Sequence, residues 1–502
     1  MDNYENTTPA AESTPAAPES SPRSRILLSV YVVIIFFLFA VPGLLTLFMR
    51  SSGSGPQRPS LIVATESKNE LNLEFPSEFD DYFSSNFGLR SQFVTADAKL
   101  HDALLHHSSN DQVLVGKEDW LYFTETTDDY TGESAMDDRD IFRMARTIEL
   151  MNEYTRQYGI TMVFFAAPNK NSVYPEFMPG TVLASKEKSN LDRLSERLRG
   201  CNAYIDMKSA MLDYKENCTV DIYHKEDSHW NNLGALRGFD MIQANLNSRI
   251  AGFDYISYED ELQVEETVWS GDLAYMLFPT SAPSDVQYDL GIAKRYSSEK
   301  PMTDNMATEI STVCSGRYYS AICYRDSFFN ALIHPVANAF YRTRFTRTLP
   351  YDLNASVEGE YNVAIIELVE RNLYLLLQNA PVASAPRREM PQLSSETIAA
   401  KQLCTIKNHE DKVVINGTLG SWADVQEEDL VFIELRGETG RYFFEAFPIA
   451  EDSPYEDNGF SAIISKLALP DDTYSAYVHY GNTQRTTCAR LDVLAEDEQT
   501  AE

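Results

Sequence analysis

Three residue types can carry acyl transfer through a covalent intermediate: a nucleophilic hydroxyl, an imidazole base and a carboxylate to orient it. The stretch "HKEDSHWNNLGA" (224–235) supplies two of them, Asp227 and His229, on a loop that leads into a helix. In a loop, the Asp227 carboxylate can turn back onto Nδ1 of His229 and leave Nε2 free as a general base. Ser327, in "YYSAICYRDSFF", follows a strand and opens a helix, so its hydroxyl is aimed beyond the sheet edge. The N–H groups at that helix start, among them that of Ser327, are expected to hold an oxyanion. A metal reading would need His224 or Glu226 as a third ligand, and their spacing does not set two imidazoles on one helical face. We therefore expect neither a metal nor a cofactor.

The elements that must position these residues alternate along the chain. "TMVFFAAP" (161–168), "NAYIDM" (202–207), "YYSAICY" (318–324) and "YNVAIIEL" (361–368) read as buried parallel strands. Between them, Leu191, Leu194 and Leu198 share one helical face, as do Leu233, Leu236, Phe239, Ile242 and Leu246 after a cap at Asn231 or Asn232. Pro335 kinks or breaks the helix after Ser327. This alternation predicts an α/β fold, a flavodoxin-like parallel sheet with helices on both faces. Its site lies beyond the carboxyl ends of the strands.

The flanking segments read differently. Residues 1–25 form a Pro/Ala/Ser/Glu-rich disordered tail. Residues 26–49 hold 24 residues without a charge, long enough for an uncleaved transmembrane signal-anchor. Basic residues balance across the span (Arg23 and Arg25 before, Arg50 and Arg58 after). The orientation with a short tail inside and a large body outside therefore rests on the usual arrangement. A linker (50–71) leads to a catalytic domain (72–400). Residues 401–502, with six strand-like runs, predict a β-sandwich for carbohydrate binding or spacing.

The 502 residues carry a net charge of −33, which repels nucleic acid and excludes it as a partner. Six cysteines suit either thiols or disulfides, with Cys201–Cys218 and Cys404–Cys488 the pairings an exported chain would favour.

Six blocks in order also resemble the SGNH hydrolase-like DHHW and alginate O-acetylation protein family. They are "FPSEFDDYFSSNFGLR" (75–90), "VLVGKEDWLYF" (113–123), "APNKNSVYPEFMP" (167–179), "YHKEDSHWNNLGA" (223–235), "YRDSFFNALIHPVANAF" (324–340) and "IIELVERNL" (365–373). The resemblance spans about 300 residues. It implies an SGNH-type catalytic domain and a membrane-anchored, extracytoplasmic O-acetyltransferase of a cell-envelope or secreted polysaccharide. Ser327 would be nucleophile, His229 base and Asp227 orienter. A multi-spanning membrane acyltransferase would be the partner that delivers acetyl groups. Lys170, Tyr174 and Arg371 fall in matched blocks as substrate-site residues, with Arg371 alternatively ion-paired to Glu367 or Glu370. Arg325 replaces the glycine common before the Asp-Ser pair. The same triad would also serve a carbohydrate acetyl esterase, and a non-catalytic glycan-binding scaffold is the alternative from a different class.

Overall fold

Strand residues that alternate between two apolar cores organise the α/β part of this chain in the computed structural model. The structure describes residues 22–48, 59–64, 69–72, 74–105, 108–258, 262–298, 307–389, 397–419, 423–450, 458–481 and 486–493. The central sheet has strands β1 (Thr161–Ala167), β2 (Tyr204–Ile205), β3 (Ser297–Ser298), β4 (Glu309–Val313), β5 (Ser320–Tyr324), β6 (Arg342–Thr346) and β7 (Val363–Val369). Their order is β2-β1-β7-β5-β6-β4-β3. The first five run parallel, and β4 and β3 close the far edge antiparallel.

Because side chains alternate along a strand, each face receives every second residue. Val163, Phe165, Cys323, Val363 and Ile365 join one core with Phe239, Ile242 and Leu246 of the helix Asn232–Arg249. Met162, Phe164, Ile322, Tyr324, Ala364 and Ile366 join the other, packed by Ile148 and Met151 of the helix Asp138–Gln157 and by Leu191, Leu194 and Leu198. Burial on both faces explains why these strands read as unbroken apolar runs. Asn231 caps its helix by accepting from the N–H groups of Leu233 and Gly234 at 3.0 and 3.1 Å, a contact worth about 1 kcal/mol.

The chain divides into two units, residues 1–100 with 278–280 and residues 101–277 with 281–502. In the first, Pro22–Phe48 is a 27-residue helix with Pro42 inside it. The expected anchor finds no support in the structure: among the described residues, no helix is long and apolar enough to cross a membrane. The uncharged run does fold as helix, but an anchor at 26–49 rests on the sequence alone. The proposed tail, 1–21 of it, lies outside the described residues.

The C-terminal β-region is corrected. Among the described residues, nine strands from Arg387 to Val493 form one hydrogen-bonded sheet, not two stacked sheets. The segment 384–388 closes it: Ala385 N–H donates to Ile463 O at 2.7 Å, while Arg387 and Arg388 pair with Phe444 and Phe443. Rolling encloses a core of Ile415, Ile433, Phe444, Phe460, Ile464 and Val478 and leaves fewer free edges than a sandwich would. The region docks on the helix Asp138–Gln157 through buried Glu445. That carboxylate accepts from Arg146 Nε at 2.6 Å and Arg388 Nε at 2.7 Å. Arg388 also meets Glu153 of the helix at 2.7 Å.

Cys201 and Cys218 stand as separate thiols. The Cys488 side chain, and with it the Cys404–Cys488 pairing, lies outside the described residues.

Candidate active site

The loop 224–231 is held in shape from below. Lys170, buried at the start of a short helix after β1, points its ammonium into the main chain of this loop. It donates to the carbonyls of His224, Lys225 and Asp227 at 3.1, 3.0 and 2.6 Å. Burial pushes its pKa down to about 7, against the pull of Asp227, Asp272 and Asp285. Tyr174 is likewise buried: its hydroxyl accepts from Ile222 N–H at 2.9 Å, and its ring stacks on Trp120 at 4.7 Å. Lys170 and Tyr174, expected at the substrate, are thus the scaffold of the loop and do not line the cleft.

From above, the loop is pressed by Gly271. A Cβ there would sit 2.0 Å from Glu226 O, so only glycine lets the two backbones approach. Gly234 meets Ile222 O in the same way, at 2.4 Å.

On this mount, His229 bridges the other two residues. Its Nδ1 lies 2.6 Å from Asp227 Oδ1, and its Nε2 lies 2.8 Å from Ser327 Oγ. Nδ1 also has Ser228 Oγ at 3.2 Å and Asp272 Oδ2 at 3.5 Å, and the Ser228 hydroxyl gives its own proton to Asp272, so it too can only accept from Nδ1. Ionised carboxylates only accept, so Nδ1 carries the proton and Nε2 presents its lone pair to the serine hydroxyl.

The Asp227 carboxylate is saturated with donors. Oδ1 also takes the His229 N–H at 3.0 Å, and Oδ2 takes Trp269 Nε1–H at 3.1 Å and Asp272 N–H at 3.0 Å. Burial alone would raise its pKa, but the His229 hydrogen bond and charge hold it far below the usual carboxylate range. Burial likewise would lower His229, and the Asp227 hydrogen bond, with the Asp227 and Asp272 charges, raises it above its ordinary value. Asp272 in turn binds Ser228 twice, N–H at 2.8 Å and Oγ–H at 2.6 Å. Burial and the Asp227 charge push its pKa up. Asp227, His229 and Asp272 bring ligand atoms within 4.8 Å of one another, as a metal site would. Those atoms are engaged in the hydrogen bonds just given.

Ser327 follows β5 and caps the 3-10 turn Phe328–Leu332. Asp326 ties this turn to β7: its carboxylate accepts from Phe328 N–H and Val369 N–H, both at 2.8 Å. The Phe328 N–H is therefore not open to an oxyanion, which corrects part of the expected donor set. The Ser327 N–H has no protein acceptor among the described residues. Arg325 turns away from the serine. It is buried and donates to Asn330 Oδ1 at 2.7 Å and Ala307 O at 2.8 Å. A bulky residue thus replaces glycine without crowding the hydroxyl.

Arg371 follows β7. Its guanidinium lies 5.3 Å from the Phe123 ring and 5.7 Å from the Phe328 ring, a cation–π arrangement. It is paired to neither Glu367 nor Glu370. Glu367 instead accepts from Asp326 N–H and Glu370 from Asn169 N–H.

The triad opens on a cleft of about 430 Å³, lined also by His224, Trp269, Gln287 and Asn330. Trp269, Asp272 and Gln287 escape a reading of the sequence, since they enter from 40 to 60 residues downstream with no motif around them. The one local sign is the glycine at 271.

The family described as SGNH hydrolase-like domain, acetyltransferase AlgX, matches residues 113–308. Among solved structures, Bacillus cereus PatB1 with a sulfonyl adduct is 16% identical, covering 53% of this chain and 96% of its own, with a TM-score of 0.42. The O-acetyltransferase domain of Pseudomonas putida AlgJ is 15% identical, covering 52% and 91%, with a TM-score of 0.35. Pseudomonas aeruginosa AlgX is 13% identical, covering 73% and 90%, with a TM-score of 0.34. No curated protein matches the chain in sequence.

Proposed function

We propose, from the match of residues 113–308 to the family described as SGNH hydrolase-like domain, acetyltransferase AlgX, that this chain is an O-acetyltransferase acting on a polysaccharide through Ser327, His229 and Asp227. The observation that carries this reading is the hydrogen-bonded chain from Asp227 through His229 to Ser327, at 2.6 and 2.8 Å.

In the first half-reaction His229 Nε2 takes the Ser327 proton as Oγ attacks the acetyl carbonyl. Asp227 stabilises the imidazolium, and the Ser327 N–H is placed to donate to the oxyanion. The tetrahedral intermediate then collapses. The leaving group takes the proton from His229 and departs, leaving acetyl-serine. In the second, a sugar hydroxyl gives its proton to His229 and attacks the ester. Ser327 leaves and recovers that proton, and the product is an O-acetylated sugar. Water in place of the sugar hydroxyl yields acetate.

We place residues 26–49 as a single-pass anchor on the strength of their 24 uncharged residues. The tail 1–25 lies inside and the catalytic domain outside the cell membrane. A multi-spanning acyltransferase would then be the partner that supplies acetyl groups.

The test is incubation of the full-length chain with a chromogenic acetyl ester, with and without oligosaccharide, read by mass spectrometry. Acetylated sugar in the wild type and none with Ser327→Ala is the expected result. Equal activity of the two would sink the triad. Acetate release that no acceptor diminishes would assign an esterase instead.

A further inference from the structure

Resting on that reading, we infer that the acceptor is an uncharged glycan, whose pyranose ring stacks on Trp269, and not a polyuronate. Trp269 is held like a shelf. One face lies on the His224 ring, centroids 5.4 Å apart and planes 14° from parallel, and Nε1–H is fixed on Asp227. The side chain nevertheless remains 39% exposed and lines the cleft beside Ser327. A rigid aromatic face with a few polar groups at its edge is the build of a site for an amphipathic ring. The polar edge is present as Asn232 and Gln287, both lining the same cleft.

The charge around this shelf selects among glycans. Trp269 ends the strand Glu265–Trp269, which pairs with Asp285–Asp289, matching Trp269 to Asp285, Thr267 to Gln287 and Glu265 to Asp289. By strand alternation these three pairs share one face, so the surface running out of the cleft from Trp269 leads to Glu265 and Asp289. Both are exposed. No Lys or Arg stands in either strand, and among the described residues none lines the cleft. His224 adds no positive charge: burial lowers its pKa, and its Nδ1 rests 3.0 Å from Val286 O. Arg371, over Phe123 and Phe328, stands behind the lining, and its charge bears on His229, away from the path past Trp269 to Glu265 and Asp289. A polymer with a carboxylate on every residue would meet like charge along this path, on a chain of net −33.

The test uses the full-length chain, a chromogenic acetyl ester as donor, and two acceptors of equal length, a neutral β-glucan hexamer and an oligogalacturonate hexamer. At low salt the neutral hexamer should be acetylated at least about tenfold faster, the effect of a few like charges in water. About 0.5 M salt should narrow the gap through the uronate alone. Glu265→Lys with Asp289→Lys should raise transfer to the uronate relative to acetate release. Trp269→Ala should lower the ratio of sugar transfer to acetate release, a readout that corrects for any loss through Asp227. Equal or better use of the uronate, or ratios indifferent to both variants, would overturn the inference and leave the acetyltransferase reading intact. Ester cleavage that survives Ser327→Ala would overturn both.

Discussion

The carboxylate of Asp272 lies 3.5 Å from Nδ1 of His229, so the imidazole facing Ser327 is flanked by two acids. Asp227 accepts the hydrogen bond of Nδ1–H directly, whereas Asp272 acts on the ring by charge and by gripping Ser228.

On the proposed mechanism His229 must be neutral, and its pKa stands above the ordinary value because Asp227, and then Asp272, favour the charged ring. Activity should therefore rise with pH along a limb whose midpoint lies above about 6.5. Asp272→Asn removes one of the two charges, so the midpoint should move down, with protein otherwise folded. A kcat/KM profile of both proteins against pH checks this, and an unmoved limb would deny Asp272 its influence.

Asp227→Asn keeps the side chain's size but can present an amide N–H to Nδ1 in place of a lone pair. The imidazole would then flip its tautomer and lose its lone pair toward Ser327. A fall in kcat of roughly 10⁴ is expected, measured by acetate release from a chromogenic ester. A loss below tenfold would mean that His229 does not need this partner.

Lys170→Met takes the ammonium donor from the carbonyls of His224 and Asp227, which are buried, and from that of Lys225, which still accepts from Leu121 N–H at 3.0 Å. Each unsatisfied group costs about 1–3 kcal/mol, and the loop can recover part of that by shifting. Denaturant titration should show a loss of about 3 kcal/mol, with slower turnover. An undiminished midpoint together with a raised KM would return Lys170 to the substrate.

Gly271→Ala forces a methyl toward Glu226 O, 2.0 Å away on the backbone. The main chain must give, and Asp272 and Trp269 move with it. Activity should drop more than thermal stability does, seen by comparing kcat/KM with the melting midpoint.

Part of this arrangement is legible in the sequence because it is local. Asp227 and His229 share a loop, and Ser327 stands at a strand-to-helix junction. The doubly buried strands announce themselves as apolar runs. Asp272 and Trp269 were out of reach because their partners lie more than 40 residues upstream, and only the close passage of Gly271 over Glu226 brings them in. Lys170 stands in a matched block, but a block says that a residue matters and not which way its side chain points. The C-terminal strands were readable one by one, whereas their closure into one sheet depends on a pairing between residues 385 and 463 that no local pattern encodes.

That closure bears on the order in which the chain is made. The strap at 384–388 leaves the ribosome just after β7 and before the strands it will join. Its Arg388 can already reach Glu153 of the helix Asp138–Gln157, but Glu445, the acid both arginines share, is still unmade. The rolled sheet would thus be assembled against a finished α/β layer, and a fragment that begins at residue 401 would carry strands that have lost their seam.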